Sequence, residues 1–339
     1  LDRTAKEKTL ETGDVYRELC KKLGVEDSRF LPEIWKLLCS PEEAALVNAT
    51  PATTEALARI LRKTPAEIEK MIRVLFRKGV LFEGSKGYHM SRSLAQFHDA
   101  TALWPEAPPE LITKWRQYVE EEYPRHYAWR LASQRPPVFR VIPVNRHIEN
   151  QSRVLVYEDA RRILEKASLL AVTPCPCRTL MRNCDRPLET CLQMNKGAAY
   201  AVKRGTGRAI DLEEAEEILI RAEESGLVHM TGNRAAPGTV ICNCCACCCI
   251  ALSYEKDART GTLHGQVNPS RYRAAIQEDR CIGCGVCETV CPMKNIVLNE
   301  RGKAEVLKAC LGCGLCTRVC PEEAVRLVLI RPEEHIPPE

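Results

Sequence analysis

The chain has 339 residues, 45% of them apolar, with a formal net charge of +4 and 20 cysteines. That length allows two or three domains with sizeable cores, and a charge so near balance does not by itself imply a nucleic-acid partner. A secreted disulfide scaffold would also be rich in cysteine, but no signal peptide or long apolar run accompanies these thiols. Their spacing is that of ligands, so a reducing compartment, the cytoplasm, is expected.

In chain order, residues 1–30 read as an N-terminal helical arm with a helix around Thr12–Leu23. Cys20 and Cys39 have no cysteine nearby in sequence and read as small buried apolar residues. Residues 31–103 give short helices at Leu31–Leu38 and Glu42–Val47, then a helix Thr53–Leu61 with Thr53 as its cap. After the turn Arg62–Thr64, Pro65 opens a helix to Lys78 whose apolar stripe is Ile68, Met71, Ile72, Leu75 and Phe76. Gly79 ends it, and Val80–Phe82 and Tyr88–Met90 form a hairpin.

Helix, turn, helix and hairpin in this order resemble a winged-helix domain. Such a domain inserts the N-terminal end of its second helix into the major groove. Here that end carries Glu67 and Glu69, the wrong sign for phosphate-lined walls. Arg59, Arg62, Lys63, Lys70, Arg73, Arg77 and Lys78 could touch a phosphate backbone. Protein docking or scaffolding is nevertheless expected over sequence-specific DNA reading, and nucleic acid is not the expected partner.

Residues 104–137, punctuated by prolines, read as a helical linker with helices near Glu110–Glu122 and Pro124–Ser133. Trp115, Tyr118, Tyr123, Tyr127 and Trp129 are expected to pack in a core or an interface. From residue 138 to 270 a mixed α/β, cysteine-rich domain is expected. Val138–Ile142, Val154–Tyr157 and Ser168–Val172 read as strands, and Glu158–Ala167 as a helix. Asp211–Gly226 is a well-signalled helix, with Asp211 as cap, Glu214 placed for a capping box and Gly226 as stop.

Two groups of cysteines flank that helix. The first is Cys175, Cys177, Cys184 and Cys191. The second, Cys242, Cys244, Cys245, Cys247, Cys248 and Cys249, puts six thiols in eight residues, which no ordinary core needs. These ten suffice for one or two further metal centres. An extended Cys242–Cys249 run would aim neighbours to opposite sides and so serve two centres. From Arg153 to Arg208 there are eleven Lys or Arg against five Asp or Glu. Arg178, Arg182, Lys196, Lys203, Arg204 and Arg208 are placed to offset thiolate charge. His229 and His264 flank the block and read as structural.

The C-terminal stretch carries Cys281-x2-Cys284-x2-Cys287-x3-Cys291-Pro292, repeated 29 residues on as Cys310, Cys313, Cys316, Cys320 and Pro321. This resembles a bacterial two-[4Fe–4S] ferredoxin domain. A pair of zinc knuckles would need only two C-x2-C pairs, without the third cysteine, the fourth before proline or the repeat. The resemblance implies that Cys281, Cys284, Cys287 and Cys320 hold one cluster, and that Cys310, Cys313, Cys316 and Cys291 hold the other. Gly283, Gly285, Gly312 and Gly314 would let the loops wrap the clusters. Taken with the Pro176-Cys177-Arg178 run and the cysteine-rich block, residues 138–330 are also similar to a group of iron–sulfur proteins of anaerobes.

The expected fold is therefore α+β and multidomain: a winged-helix-like helical N-terminal region, a mixed α/β cysteine-rich centre, and a ferredoxin-like domain over 271–330, with 331–339 as an exposed tail. The expected function is iron–sulfur electron transfer to or from a partner oxidoreductase, through two [4Fe–4S] clusters and one or two central ones. No nucleotide-binding glycine motif is present, so electrons would enter and leave through protein partners. Two other readings are an oxidoreductase with an open or noncubane central cluster, and a redox-responsive winged-helix regulator.

Overall fold

The computed structural model describes residues 12–126, 137–145, 148, 151–236, 238–252, 255–256, 263–264 and 267–338. The chain divides into two compact units, Leu1–His126 and Tyr127–Glu339.

In the first unit, α1 (Thr12–Lys22), α2 (Leu31–Leu38), α3 (Pro41–Asn48), α4 (Thr54–Leu61) and α5 (Pro65–Arg77) precede a hairpin of β1 (Leu81–Gly84) and β2 (Gly87–Met90). Then come α6 (Leu94–Ala102) and α7 (Pro109–Glu121). Local chemistry sets these boundaries. Ser40 and Thr64 each cap a helix and receive the carboxylate three residues on, Glu43 and Glu67, at their own N–H. Such caps contribute about 1 kcal/mol each. Gly79 has φ +79°, and a Cβ there would sit 2.5 Å from the Ala100 carbonyl oxygen, so only glycine fits.

The core of this unit is aromatic. Trp35 stacks on Phe97 at 4.2 Å, while Phe97 and His98 meet Trp115 edge-on at 5.4 and 5.2 Å. The Trp115 indole N–H donates to Thr101 Oγ1 at 3.0 Å. Each ring pair is worth roughly 1 kcal/mol beyond the area it buries. Cys20 and Cys39 lie in this core, and burial pushes the Cys20 thiol up to about 12. The expected helix Pro124–Ser133 lies mostly outside the described residues.

The second unit is built on a seven-stranded sheet of order β11-β3-β7-β8-β5-β4-β6. Its strands are β3 (Phe139–Val141), β4 (Leu170–Pro174), β5 (Glu189–Met194), β6 (Arg208–Ile210), β7 (Val228–Gly232), β8 (Val240–Cys244) and β11 (Val267–Asn268). Among the described strands of this sheet β11 and β3 pair in parallel and the other pairs are antiparallel. Alternation along β4 decides which helix covers which face. Leu170 and Val172 point to one face, against Ala215, Ile218 and Leu219 of the helix Leu212–Glu224. Ala171 points to the other, against Ala198 and Ala201 of the helix Lys196–Arg204. Asp211 accepts from Glu214 N at 2.8 Å, as its cap role requires. Glu214 does not complete a capping box, because its carboxylate pairs with Arg208 at 2.5 Å.

Two expectations fail here. Val154–Tyr157 is not a strand: Val156–Glu158 is a 3-10 turn. Its polar groups are taken by side chains instead of a neighbouring strand. Glu158 accepts from Leu155 N at 3.1 Å, and Arg140 donates to the Tyr157 carbonyl at 2.5 Å. Buried Glu158 also meets Arg271 at 2.8 Å. Nor does the expected tail 331–339 hang free over its described residues, 331–338. Glu333–His335 is a 3-10 turn, His335 Nε2 donates to the Pro269 carbonyl at 2.9 Å, and Ala235 N donates to Pro337 O at 2.8 Å. Ile336 is buried.

Candidate metal centres

The C-terminal repeat folds as two equivalent halves. The first is β12 (Tyr272–Ile276), a cysteine loop, the helix Val286–Val290 and β13 (Ile296–Leu298). The second is β14 (Ala304–Val306), its loop, the helix Leu315–Val319 and β15 (Val325–Leu329). Pairing is crossed: β12 lies antiparallel to β15, and β13 to β14. The fourth cysteine of each run is thereby carried to the other half's loop. Cys281, Cys284, Cys287 and Cys320 line one cavity, and Cys291, Cys310, Cys313 and Cys316 line a second.

The equivalence extends to single atoms. Asn295 N donates to Cys291 Sγ and Ala324 N to Cys320 Sγ, both at 3.2 Å. Ala304 N and Gly312 N add donors to Cys281 Sγ at 3.5 Å and Cys310 Sγ at 3.4 Å. Lys294 and Glu323, at equivalent places, both have positive φ, near 50°. Gly283 and Gly312 are required by close approach: a Cβ would lie 2.1 Å from the Gly302 oxygen in one loop and from the Tyr272 oxygen in the other. Burial pushes the Cys313 thiol up to about 12 and raises Cys287, Cys291 and Cys316. Apolar cavities lined by thiols favour a ligand that brings its own positive charge.

Residues 274–327 match the 4Fe-4S dicluster domain family. No curated protein and no solved structure matches the chain. The donor set fits the group that this family name implies: four thiols per cavity, with N–H donors aimed at their sulfurs.

The dicluster domain is joined to the cysteine-rich centre of the same unit. Val144 N donates to the Cys313 carbonyl at 2.9 Å. Arg318, between Cys316 and Cys320, reaches Glu223 at 3.1 Å and Glu224 at 2.7 Å on the helix Leu212–Glu224. Glu223 also meets His229 Nε2 at 3.2 Å, and His229 Nδ1 faces Asn243 Oδ1 at 2.5 Å. His264 lies on β10 (Leu263–His264), paired with β9 (Glu255–Lys256).

In the centre, topology explains which thiols meet. Strands β4 and β8 both run antiparallel to β5 between them, so both end at the same edge of the sheet. Cys175 and the helix Pro176–Met181, bearing Cys177, leave β4 there, and Cys244 and Cys245 leave β8 there. The chain is extended only as far as Cys244. Beyond it Cys249 N bonds back to the Cys245 carbonyl at 3.1 Å, a turn that replaces the expected extended run.

The turn sorts the thiols into two groups. In the outer group Cys184 lies 3.8 Å from Cys245 and 3.9 Å from Cys248, and Cys247 lies 3.9 Å from Cys248. All four sulfurs are within 4.8 Å of one another. Burial raises the Cys184 thiol, but the Arg186 N–H, its side chain and neighbouring thiols bring it down to about 7. In the deep group, Cys249 is hydrogen-bonded to Cys177 and Cys244, which hold it well below the usual thiol range, and the N–H groups of Leu252 and Ala251 add to this. Cys177 and Cys244 are raised by the same bonds and by those to Cys175 and Cys242 respectively. Cys191 lies on β5 outside the outer group and accepts from Gln193 Nε2 at 3.2 Å.

Of the basic residues singled out by sequence, Arg178 lies against a central thiol, 3.7 Å from Cys245 Sγ. Arg208 pairs with Glu189 and Glu214, and Lys196 lies over the Tyr200 ring at 5.5 Å. Burial lowers Arg204 to about 10. Sequence reasoning missed Arg186, whose Nη1 lies 3.7 Å from Cys247 Sγ, and Asn183, whose Nδ2 donates to the Cys247 carbonyl at 2.8 Å. The one available signal was their place beside Cys184.

Proposed function

We propose that this protein is an iron–sulfur electron-transfer protein that relays low-potential electrons to or from a partner oxidoreductase. The observation that carries this reading is the pair of four-thiol cavities in the dicluster domain, each completed by a cysteine from the opposite half. Cys281, Cys284, Cys287 and Cys320 would hold one [4Fe–4S] cluster, and Cys310, Cys313, Cys316 and Cys291 the other. The clusters supply one-electron transfer. The protein supplies N–H donors to cysteine sulfur, which favour the reduced form, and apolar walls that limit solvent access.

The deep thiol group, Cys175, Cys177, Cys242, Cys244 and Cys249, is our candidate for a further cluster. Four of its five members are buried, and this argues for a relay station over a site that meets substrate. Cys284, at the rim of the first dicluster cavity, is exposed and marks a face where a protein partner could exchange electrons.

We read residues 31–103 as a winged-helix-like module that docks protein and not DNA. Three of its cations are engaged within the first unit: Lys63 with Glu42 at 2.6 Å, Arg77 with Glu106, and Lys78 with Glu43 at 3.2 Å. Glu67 is held in the cap of α5. With these three cations already paired and Glu67 and Glu69 at the start of α5, the face that would meet DNA is weakened for counterion release.

The test is iron, acid-labile sulfide and electron paramagnetic resonance on anaerobically purified, dithionite-reduced protein. Two coupled [4Fe–4S] signals are expected, with one lost in Cys284→Ser and the other in Cys313→Ser. A chain free of sulfide, or these thiols joined pairwise as disulfides in a native preparation, would overturn the reading.

A further inference from the structure

The outer thiol group has the dimensions of a different kind of site. Its three short sulfur–sulfur distances, 3.8, 3.9 and 3.9 Å, are nearly equal, and no pair exceeds 4.8 Å. A tetrahedral ion with metal–sulfur bonds of about 2.3 Å places its ligands about 3.8 Å apart. A cubane gives each thiolate an iron of its own, and its cysteines stand much further apart. The chain contains its own control: among the described residues no three of the eight dicluster cysteines form a group this tight.

We propose that Cys184, Cys245, Cys247 and Cys248 form a closed tetrathiolate site for a single divalent ion, zinc or ferrous iron. Charge supports this stoichiometry. Four thiolates around a divalent ion leave two negative charges, and two guanidinium groups, Arg178 and Arg186, each lie 3.7 Å from a ligand sulfur. With four protein ligands no coordination position is left for substrate, so the ion is structural or, if iron, a one-electron site. It ties the loop that carries Cys184 to the turn after β8. Cys244 and Cys249, which bracket that turn, belong to the deep group, so the ion also fixes the entrance and exit of the deep site. The pattern Cys245-x-Cys247-Cys248 with a remote Cys184 matches no zinc-knuckle spacing, which is why sequence did not announce it.

The inference stands apart from the electron-transfer reading, and the readouts separate them. On anaerobically purified full-length protein, Cys184→Ser with Cys247→Ser should remove one zinc or one iron per chain while acid-labile sulfide stays unchanged. Zinc- and iron-edge X-ray absorption on the unaltered chain does not depend on how the variant folds. It should show a single ion with four sulfur neighbours and no metal–metal distance, at the zinc edge for zinc or as a separable ferrous component for iron. Sulfide lost in step with iron in the variant would make the site a cluster and overturn the proposal. So would metal content unchanged by the substitutions, or no isolated tetrathiolate ion at either edge. Failure of the dicluster reading alone would instead leave the wild-type chain poor in sulfide with this ion in place.

Discussion

Arg178 lies with one guanidinium nitrogen 3.1 Å from the Asn243 carbonyl oxygen and 3.7 Å from Cys245 Sγ, so one buried cation spans the end of β8 and the first thiol beyond it. It also donates to the Pro187 carbonyl at 3.0 Å and to Thr190 Oγ1. Arg178→Met would leave these acceptors unsatisfied in a buried site, at a cost of about 3 kcal/mol. Arg178→Lys should recover less than half of that, because an ammonium on a flexible stem cannot reproduce the fork. Anaerobic denaturant unfolding of the two variants checks both statements.

Gly283→Ala and Gly312→Ala should each disable a cluster loop. The added methyl would meet backbone oxygen at 2.1 Å on a residue with φ +72° or +66°. Iron and sulfide should each fall by one cluster's worth, about four per chain, in each variant. Gly232→Ala is the control: nothing lies within 4 Å of its Cβ, and iron content should not change.

Removing the charge of Glu223 should raise the potential of the dicluster domain. Arg318, beside Cys316 and Cys320, is partly neutralised by Glu223 at 3.1 Å. In Glu223→Gln its positive charge is freed, which favours the reduced cluster, with an upward shift on the order of tens of mV. Protein-film voltammetry of wild type and variant gives the sign directly.

The docked C-terminus should loosen in acid. Burial lowers the pKa of His335 below its ordinary value of 6.5, outweighing the Pro269 hydrogen bond. Its neutral form is therefore favoured in the docked state, and docking is fully supported above 6.5. That support is lost as pH falls from 6.5 through the lowered value. Amide exchange at Ala235, whose N–H bonds to Pro337 O, should speed up over that window after correction for intrinsic rates. His335→Gln should flatten the response.

What sequence made legible follows from how local each feature is. The dicluster ligand spacing repeats within a few residues, and the helix Leu212–Glu224 carries its cap and stop beside it. The sorting of the central thiols was not legible. It depends on β4 and β8 reaching one sheet edge and on a turn closed between Cys249 and Cys245, and neither leaves a mark in residue order. The Val154–Tyr157 segment misleads for a related reason. Its β-branched and aromatic residues suit a strand, but Arg140 and Glu158 occupy its backbone from within the unit. The docked tail looked free because its partners, Pro269 and Ala235, lie far upstream.

The crossing of Cys291 and Cys320 into opposite halves has one more consequence. A break between Cys291 and Cys310 would leave each fragment with three donors for one cavity and a stray fourth for the other. Filling either cavity pins a residue next to its neighbour, so the first cluster to enter should make the second easier to build. A biosynthetic machine delivering iron to this chain would then find its second delivery easier than its first.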